Sequence, residues 1–167
     1  MFREQIVIDP TDAAILALLQ ENARISNAEI ARRVDMAPSA VFERVRKLEE
    51  RGVIRGYEAR LGARELGLGL VAFVFVRTAE RPGQSSTGAE LARLPEVLEV
   101  HHVAGEDCFL VKVRAPDTDG LGRLLRDRIG ALAAVTSTRT TIVLETLKES
   151  TRLPLPAPAA EQEVVRG

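Results

Sequence analysis

Six residues in one short stretch could face a nucleic acid, the basic ones toward its phosphates and the others toward base edges or nearby phosphates. Ser39, Ala40, Glu43, Arg44, Arg46 and Lys47 all fall within PSAVFERVRKL, residues 38–48. An arginine guanidinium can bridge a guanine edge with two hydrogen bonds, whereas a lysine ammonium suits a phosphate as a point charge. Backbone N–H groups near Ser39, if a helix starts there, also suit a phosphate. A second set lies in VAGEDCF, residues 103–109. Asp107 offers a carboxylate to an ammonium. Beside Gly105, backbone N–H groups can approach a carboxylate because no side chain stands in the way. The plainer alternative is a hairpin turn in which Gly105 supplies a positive φ and Asp107 caps it. On these residues alone both stand.

The first set needs a helix with one buried and one open side. Pro38 suits a first helical position, where its missing N–H has no partner anyway. Val41, Val45 and Leu48 recur at four and three residues and form the buried face. Ser39, Ala40, Glu43, Arg46, Lys47 and Glu50 then face outward, Phe42 lies between the faces, and Arg44 and Lys47 sit a turn beyond Ser39. Gly52 stops the helix as a left-handed terminator. Upstream, Ser26-Asn27-Ala28-Glu29 is a capping box, and Ile25 and Ile30 hold the positions of a hydrophobic staple. Asp35-Met36-Ala37 breaks the two helices, so the segment reads as a helix-turn-helix whose second helix enters a major groove. The blander alternative is an exposed bundle helix carrying an i,i+4 pair, Glu43–Lys47. Ala37 stands where a Ser or Thr cap is expected before Pro38. An earlier helix opens at Asp9-Pro10, with Ile15, Leu16, Leu18 and Leu19 as its apolar stripe. Val53, Ile54 and Tyr57 suit a short wing or linker strand. Gly62, Gly67 and Gly69 loosen the chain and place a domain boundary near 61–67.

The second set needs a different scaffold. Leu70 to Val76 is a continuous apolar run, consistent with a strand buried on both faces. Thr87-Gly88-Ala89-Glu90 is a capping box for a short helix ending at Pro95. Val97 to Val103 and Phe109 to Val113 are strand-like and flank the Gly105-Glu106-Asp107 turn. A helix from Asp117 or Thr118 lines up Leu121, Leu124, Leu125 and Ile129, and Val135 to Leu147 is a last, Thr-rich strand. Strand, helix, strand, strand, helix, strand is the ferredoxin-like order. From Lys148 the chain turns polar and then Pro-Ala-rich, which predicts a disordered tail.

Composition narrows the classes. The formal charge of −1 gives no global attraction to nucleic acid. Locally, Arg24 to Arg60 holds 9 Lys plus Arg against 6 Asp plus Glu, an excess of +3 that can serve phosphate contact. One cysteine, Cys108, rules out an internal disulfide and a cysteine-cluster zinc site, and its apolar surroundings make it packing filler. His101 and His102 point to opposite faces of a strand and are poor metal ligands as a pair. No metal site and no catalytic acid/base cluster is expected. With no apolar run of about twenty residues and no signal peptide, a cytoplasmic protein without a membrane partner is expected.

Over roughly residues 9–147 the sequence resembles the Lrp/AsnC, or feast/famine, regulators. The resemblance is carried by DAAILALLQENARIS, PSAVFERVRKLEERGVIRGY, HHVAGEDCFLVKV and TSTRTTIVLETLKE. It implies an α+β protein: a winged helix-turn-helix with linker strand over 1–61, a ferredoxin-like (RAM-type) effector-binding and dimerisation domain over 68–148, and a tail over 149–167. It implies double-stranded DNA with a near-palindromic operator as partner, a homodimer that in such families commonly gathers into an octamer, and no cofactor beyond an amino-acid effector. Ser39, Ala40, Glu43, Arg44 and Lys47 match its DNA-facing positions. Gly105 and Asp107 fall on its effector turn, and Thr138, Thr140 and Thr141 on the terminal strand lining the same interface. Two alternatives share the architecture: a haem-precursor (sirohaem) decarboxylase-like enzyme, and an effector-sensing protein that no longer binds DNA.

Overall fold

Helix starts in the first half follow the chemistry of single side chains. In a computed structural model, which describes residues 8–80, 86–105 and 107–155, Asp9 caps α1 (Pro10–Glu21) by accepting the Asp12 N–H at 2.7 Å. Ser26 caps α2 (Asn27–Arg33) by accepting the Glu29 N–H at 3.2 Å. The reciprocal half of that box is missing, because the Glu29 carboxylate turns to Arg32 and Arg33 instead. The break before α3 (Pro38–Glu50) contains no glycine. Asp35 itself takes the left-handed conformation, φ 52°, and the Met36 N–H reaches back to the Ala31 carbonyl. Asp tolerates that region better than most residues do.

Ala37 is the cap residue of α3 and makes no side-chain hydrogen bond. Its φ of −68° and ψ of 141° are already those of a capping residue, so a hydroxyl needs only to be added. Ala37→Ser is expected to stabilise the unit by about 1 kcal/mol, read as a higher midpoint in urea. An unchanged or lower midpoint would mean that the helix does not begin there.

Ile15, Ile30, Ala31, Val41 and Val45 form one core, with Leu18, Leu19, Ile25, Val34, Met36 and Ile54 packed around it. At the far end of α3, Gly52 sits at φ 68° with its N–H on Glu49, while the Val53 N–H reaches the Leu48 carbonyl. Those two bonds are a Schellman terminator. They also fold Val53 and Ile54 back against the helix end, where no second strand lies beside them among the described residues. The expected wing or linker strand at Val53, Ile54 and Tyr57 does not form among the described residues, because a lone strand leaves its backbone groups without ladder partners.

The chain divides after Arg60. Described residues from Ser150 group with the first unit, and Leu61–Glu149 forms the second. The expected tail, 149–167, lies partly outside the described residues. Of its first part, Glu149 pairs with Lys112 (2.5 Å) and Arg114 (3.4 Å) in the second unit. Leu153 exchanges two hydrogen bonds with the Gln20 amide of the first, at 2.7 and 3.1 Å.

The second unit contains β1 (Leu70–Thr78), α4 (Ser86–Leu91), β2 (Val97–His102), β3 (Phe109–Ala115), α5 (Thr118–Arg123) and β4 (Val135–Ile142). The antiparallel sheet has the order β2-β3-β1-β4, the ferredoxin-like arrangement. Its core joins Ala72, Val74 and Val76 to Val111, Val113, Leu91, Leu121, Leu124 and Ile129. β1 buries that side, whereas Phe73 and Phe75 on the other side are only half-buried. Cys108 packs at the edge of this core.

Two local details differ from the sequence pattern. α4 begins one residue before Thr87, and its cap comes from Glu80, whose Oε1 accepts the Thr87 N–H (2.9 Å) and both the Ser86 and Thr87 hydroxyls. Those donors hold the Glu80 carboxyl below its usual range. α5 continues as a π-helical segment, Leu124–Ile129, in which the Gly130 N–H bonds the Leu125 carbonyl five residues back. That wider turn brings both Leu124 and Ile129 into the core.

Candidate nucleic-acid interface and effector site

Burial along α3 separates its faces as the periodicity predicts. Val41, Val45 and Leu48 are buried; Ser39, Glu43, Arg46 and Lys47 are exposed; Ala40 and Arg44 are intermediate. Ala40, Glu43, Arg44 and Lys47 line one concavity of about 350 Å³ with Asp12, Leu48 and Arg51. Ser39 and Arg46 lie outside it.

The cations on this helix differ in what holds them. The Arg44 guanidinium turns back to α1 and donates to Asp9 Oδ2 at 2.5 Å and Asp12 Oδ1 at 2.7 Å. Asp12 is only 7% exposed, so this pair fixes the seat of α3 on α1. Hydrogen bonding to Asp9 and then to Asp12 raises the Arg44 pKa further. The Asp9 carboxyl is held below its usual range, first by the Asp12 N–H and then by Arg44. Sequence reading missed this clamp because its members are 32 and 35 residues apart. Arg46 lies between Glu43 (2.8 Å) and Glu50, and its hydrogen bond holds the Glu43 carboxyl low. Lys47 has no ion pair among the described residues, which leaves its ammonium available on the open face. The Glu43–Lys47 pair of the bland alternative is not formed.

In the second unit, Gly105 sits at φ 123°, a conformation that strains any residue with a Cβ, and Asp107 follows two residues later. Strand register sorts the three threonines. Thr138 pairs with Val76 and Thr140 with Val74, on the helix-covered side of the sheet; Thr141 pairs with Phe73 on the open side. The five expected effector residues are therefore not all on one face. What does meet Asp107 is Arg139, at 2.9 Å, with Arg77 at 3.9 Å. The Arg139 guanidinium lies 4.0 Å above the Phe75 ring. Arg139 sits between Thr138 and Thr140 in sequence, and strand alternation puts it on the face opposite theirs, paired with Phe75 on the open side. His101 and His102 go separate ways: His101 contacts Glu99, and His102 packs against the Phe109 ring.

Comparison with known proteins adds independent findings. A family model described as Winged helix-turn-helix DNA-binding matches residues 8–55, and one described as Lrp/AsnC ligand binding domain matches 71–153. The leucine-responsive regulatory protein of Salmonella typhimurium is 38% identical over 149 residues, covering 87% of this chain and 90% of that one. The structure of Escherichia coli AsnC superposes with a TM-score of 0.83 at 30% identity, covering 89% of this chain and 100% of that one. A feast or famine regulatory protein from Mycobacterium tuberculosis, solved in complex with L-methionine, gives 0.82 at 35% identity, covering 90% and 100%.

Proposed function

Because the chain belongs to the Lrp/AsnC family of transcriptional regulators, we propose that α3 enters the major groove of a near-palindromic operator as one of two in a homodimer and that the second unit takes a free amino acid as effector. It is a regulator, not an enzyme: the relatives are named as regulators, which removes the decarboxylase-like alternative. No helix among the described residues is long and apolar enough to cross a membrane.

The observation that carries the DNA reading is the open face of α3. Ser39, Ala40 and Glu43 lie in its first turns, where groove-entering helices approach base edges. Lys47 supplies an ammonium with no ion pair among the described residues. Arg46 enters already flanked by two carboxylates, so its contribution to phosphate contact is smaller than its charge suggests. Arg44 acts chiefly by holding the helix in place. L-methionine bound to the M. tuberculosis relative supports an amino acid as the class of effector here.

The test is a salt titration. Oligonucleotides selected from a random pool by the parent protein are titrated by fluorescence anisotropy. Lys47→Ala is expected to weaken binding across sequences and to reduce the slope of log K against log salt by about 0.9. An unchanged slope and affinity would remove Lys47 from the contact set. If no duplex is selected at all, the chain is an effector sensor without DNA binding.

A further inference from the structure

The carboxylate assigned to an effector's ammonium is already occupied. Asp107 Oδ2 accepts from Arg139 Nη2 at 2.9 Å, and Asp107 Oδ1 lies 3.9 Å from Arg77. Arg139 and Phe75 are cross-strand partners, and the guanidinium lies over the ring at 4.0 Å. Asp107 is the more enclosed member, with 24% of its side chain exposed against 63% for Arg139. The guanidinium is thus the movable half, anchored on its flat side by an aromatic ring.

From this geometry we infer that Arg139 is a specificity-determining residue of the effector site, which captures the effector's carboxylate and so admits only ligands that carry one. The inference rests on the effector reading above and deepens it. A ligand with an ammonium alone must displace Arg139 from Asp107 and leave the guanidinium without its anion. That exchanges one ion pair for another and gains little. A free α-amino acid brings both charges. Its ammonium takes Asp107, its carboxylate takes Arg139, and the one close Arg139–Asp107 pair is replaced by two. The planar guanidinium can hold a carboxylate with two parallel hydrogen bonds, and stacking on Phe75 restricts its plane beforehand. Side-chain selectivity is then left to the surrounding apolar surface.

The experiment uses the full chain. Thermal shifts are recorded with each of the twenty L-amino acids, and every amino acid that raises the midpoint is then compared by calorimetry with its methyl ester. The ester keeps the ammonium and removes the carboxylate charge. The parent is expected to prefer the free acid over the ester by about tenfold or more, the size of one charged hydrogen-bonded contact. Arg139→Gln is expected to bind acid and ester within about threefold of each other. Arg139→Lys, which keeps the charge but loses the fork, falls between and carries the test if the glutamine variant is unstable. Asp107→Asn is expected to bind neither. A selectivity that collapses while the unliganded midpoint stays put is not what a merely structural residue would give. Equal affinity for acid and ester in the parent, or undiminished preference in both Arg139 variants, overturns the role of Arg139 and leaves the effector reading standing. No shift with any of the twenty overturns that reading and this inference together.

Discussion

Arg44→Ala is expected to destabilise the first unit by about 1–3 kcal/mol in the absence of DNA, measured as a lower urea midpoint. The reason is the partner left behind. Asp12 is 7% exposed and would keep a carboxylate with no cation beside it. Arg44 itself is one-third exposed, at 33% of its side chain, so the loss stays below that for a fully buried pair. A double-mutant cycle with Asp12→Asn should recover part of the loss, since the orphaned charge is then gone. If Arg44 served only to touch DNA, free-protein stability would not move and operator affinity alone would fall. The pH dependence has a definite sign. The Asp9 carboxyl has a lowered pKa in the folded chain, so its share of the clamp is fully present above the ordinary carboxylate value. It is lost as the pH falls through the lowered one. The stability gap between parent and Arg44→Ala should therefore narrow in acid.

The second large effect is expected at Gly130. Its backbone, at φ −70° and ψ −17°, is one that any residue adopts, so conformational freedom is not the reason for glycine here. The obstacle is space. A Cβ at Gly130 would lie 2.8 Å from the Leu125 carbonyl oxygen, the same atom that accepts the Gly130 N–H. Backbone cannot swing aside as a flexible side chain can, so Gly130→Ala must deform the π-helical turn that delivers Leu124 and Ile129 to the core. A loss of about 1–3 kcal/mol is expected, with the thermal midpoint of the second unit falling. A variant as stable as the parent would show that this segment relaxes to an ordinary α-turn at no cost. That outcome would remove the packing role given to the wider turn.

Much of the scaffold was readable in the order of residues because its determinants are local. Asp9 and Ser26 cap, Gly52 terminates, and Val41, Val45 and Leu48 repeat at helical spacing; each acts within a turn or two of itself. The strand–helix order of the second half was legible for the same reason. Failures came where a partner was required. The strand expected at Val53, Ile54 and Tyr57 has nothing to pair with among the described residues, and the cap of α4 is supplied by Glu80 from just beyond the preceding strand.

The candidate sites divide along the same line. Which face of α3 is open followed from periodicity alone, whereas the glycine and aspartate of the β2–β3 turn stood out by residue type and were tied to an effector only by the family resemblance. Whether each charge is free or spent is a different matter, because ion pairs form between side chains that are neighbours in space and not in sequence. Only the folded chain turned Arg44 toward α1, left Lys47 without an ion pair among the described residues, and set Arg139 against Asp107. Composition and spacing thus determined which chemistry was present. The tertiary structure decided which of those groups remain available for it, since Coulomb and hydrogen-bond energies depend on distances that only folding sets.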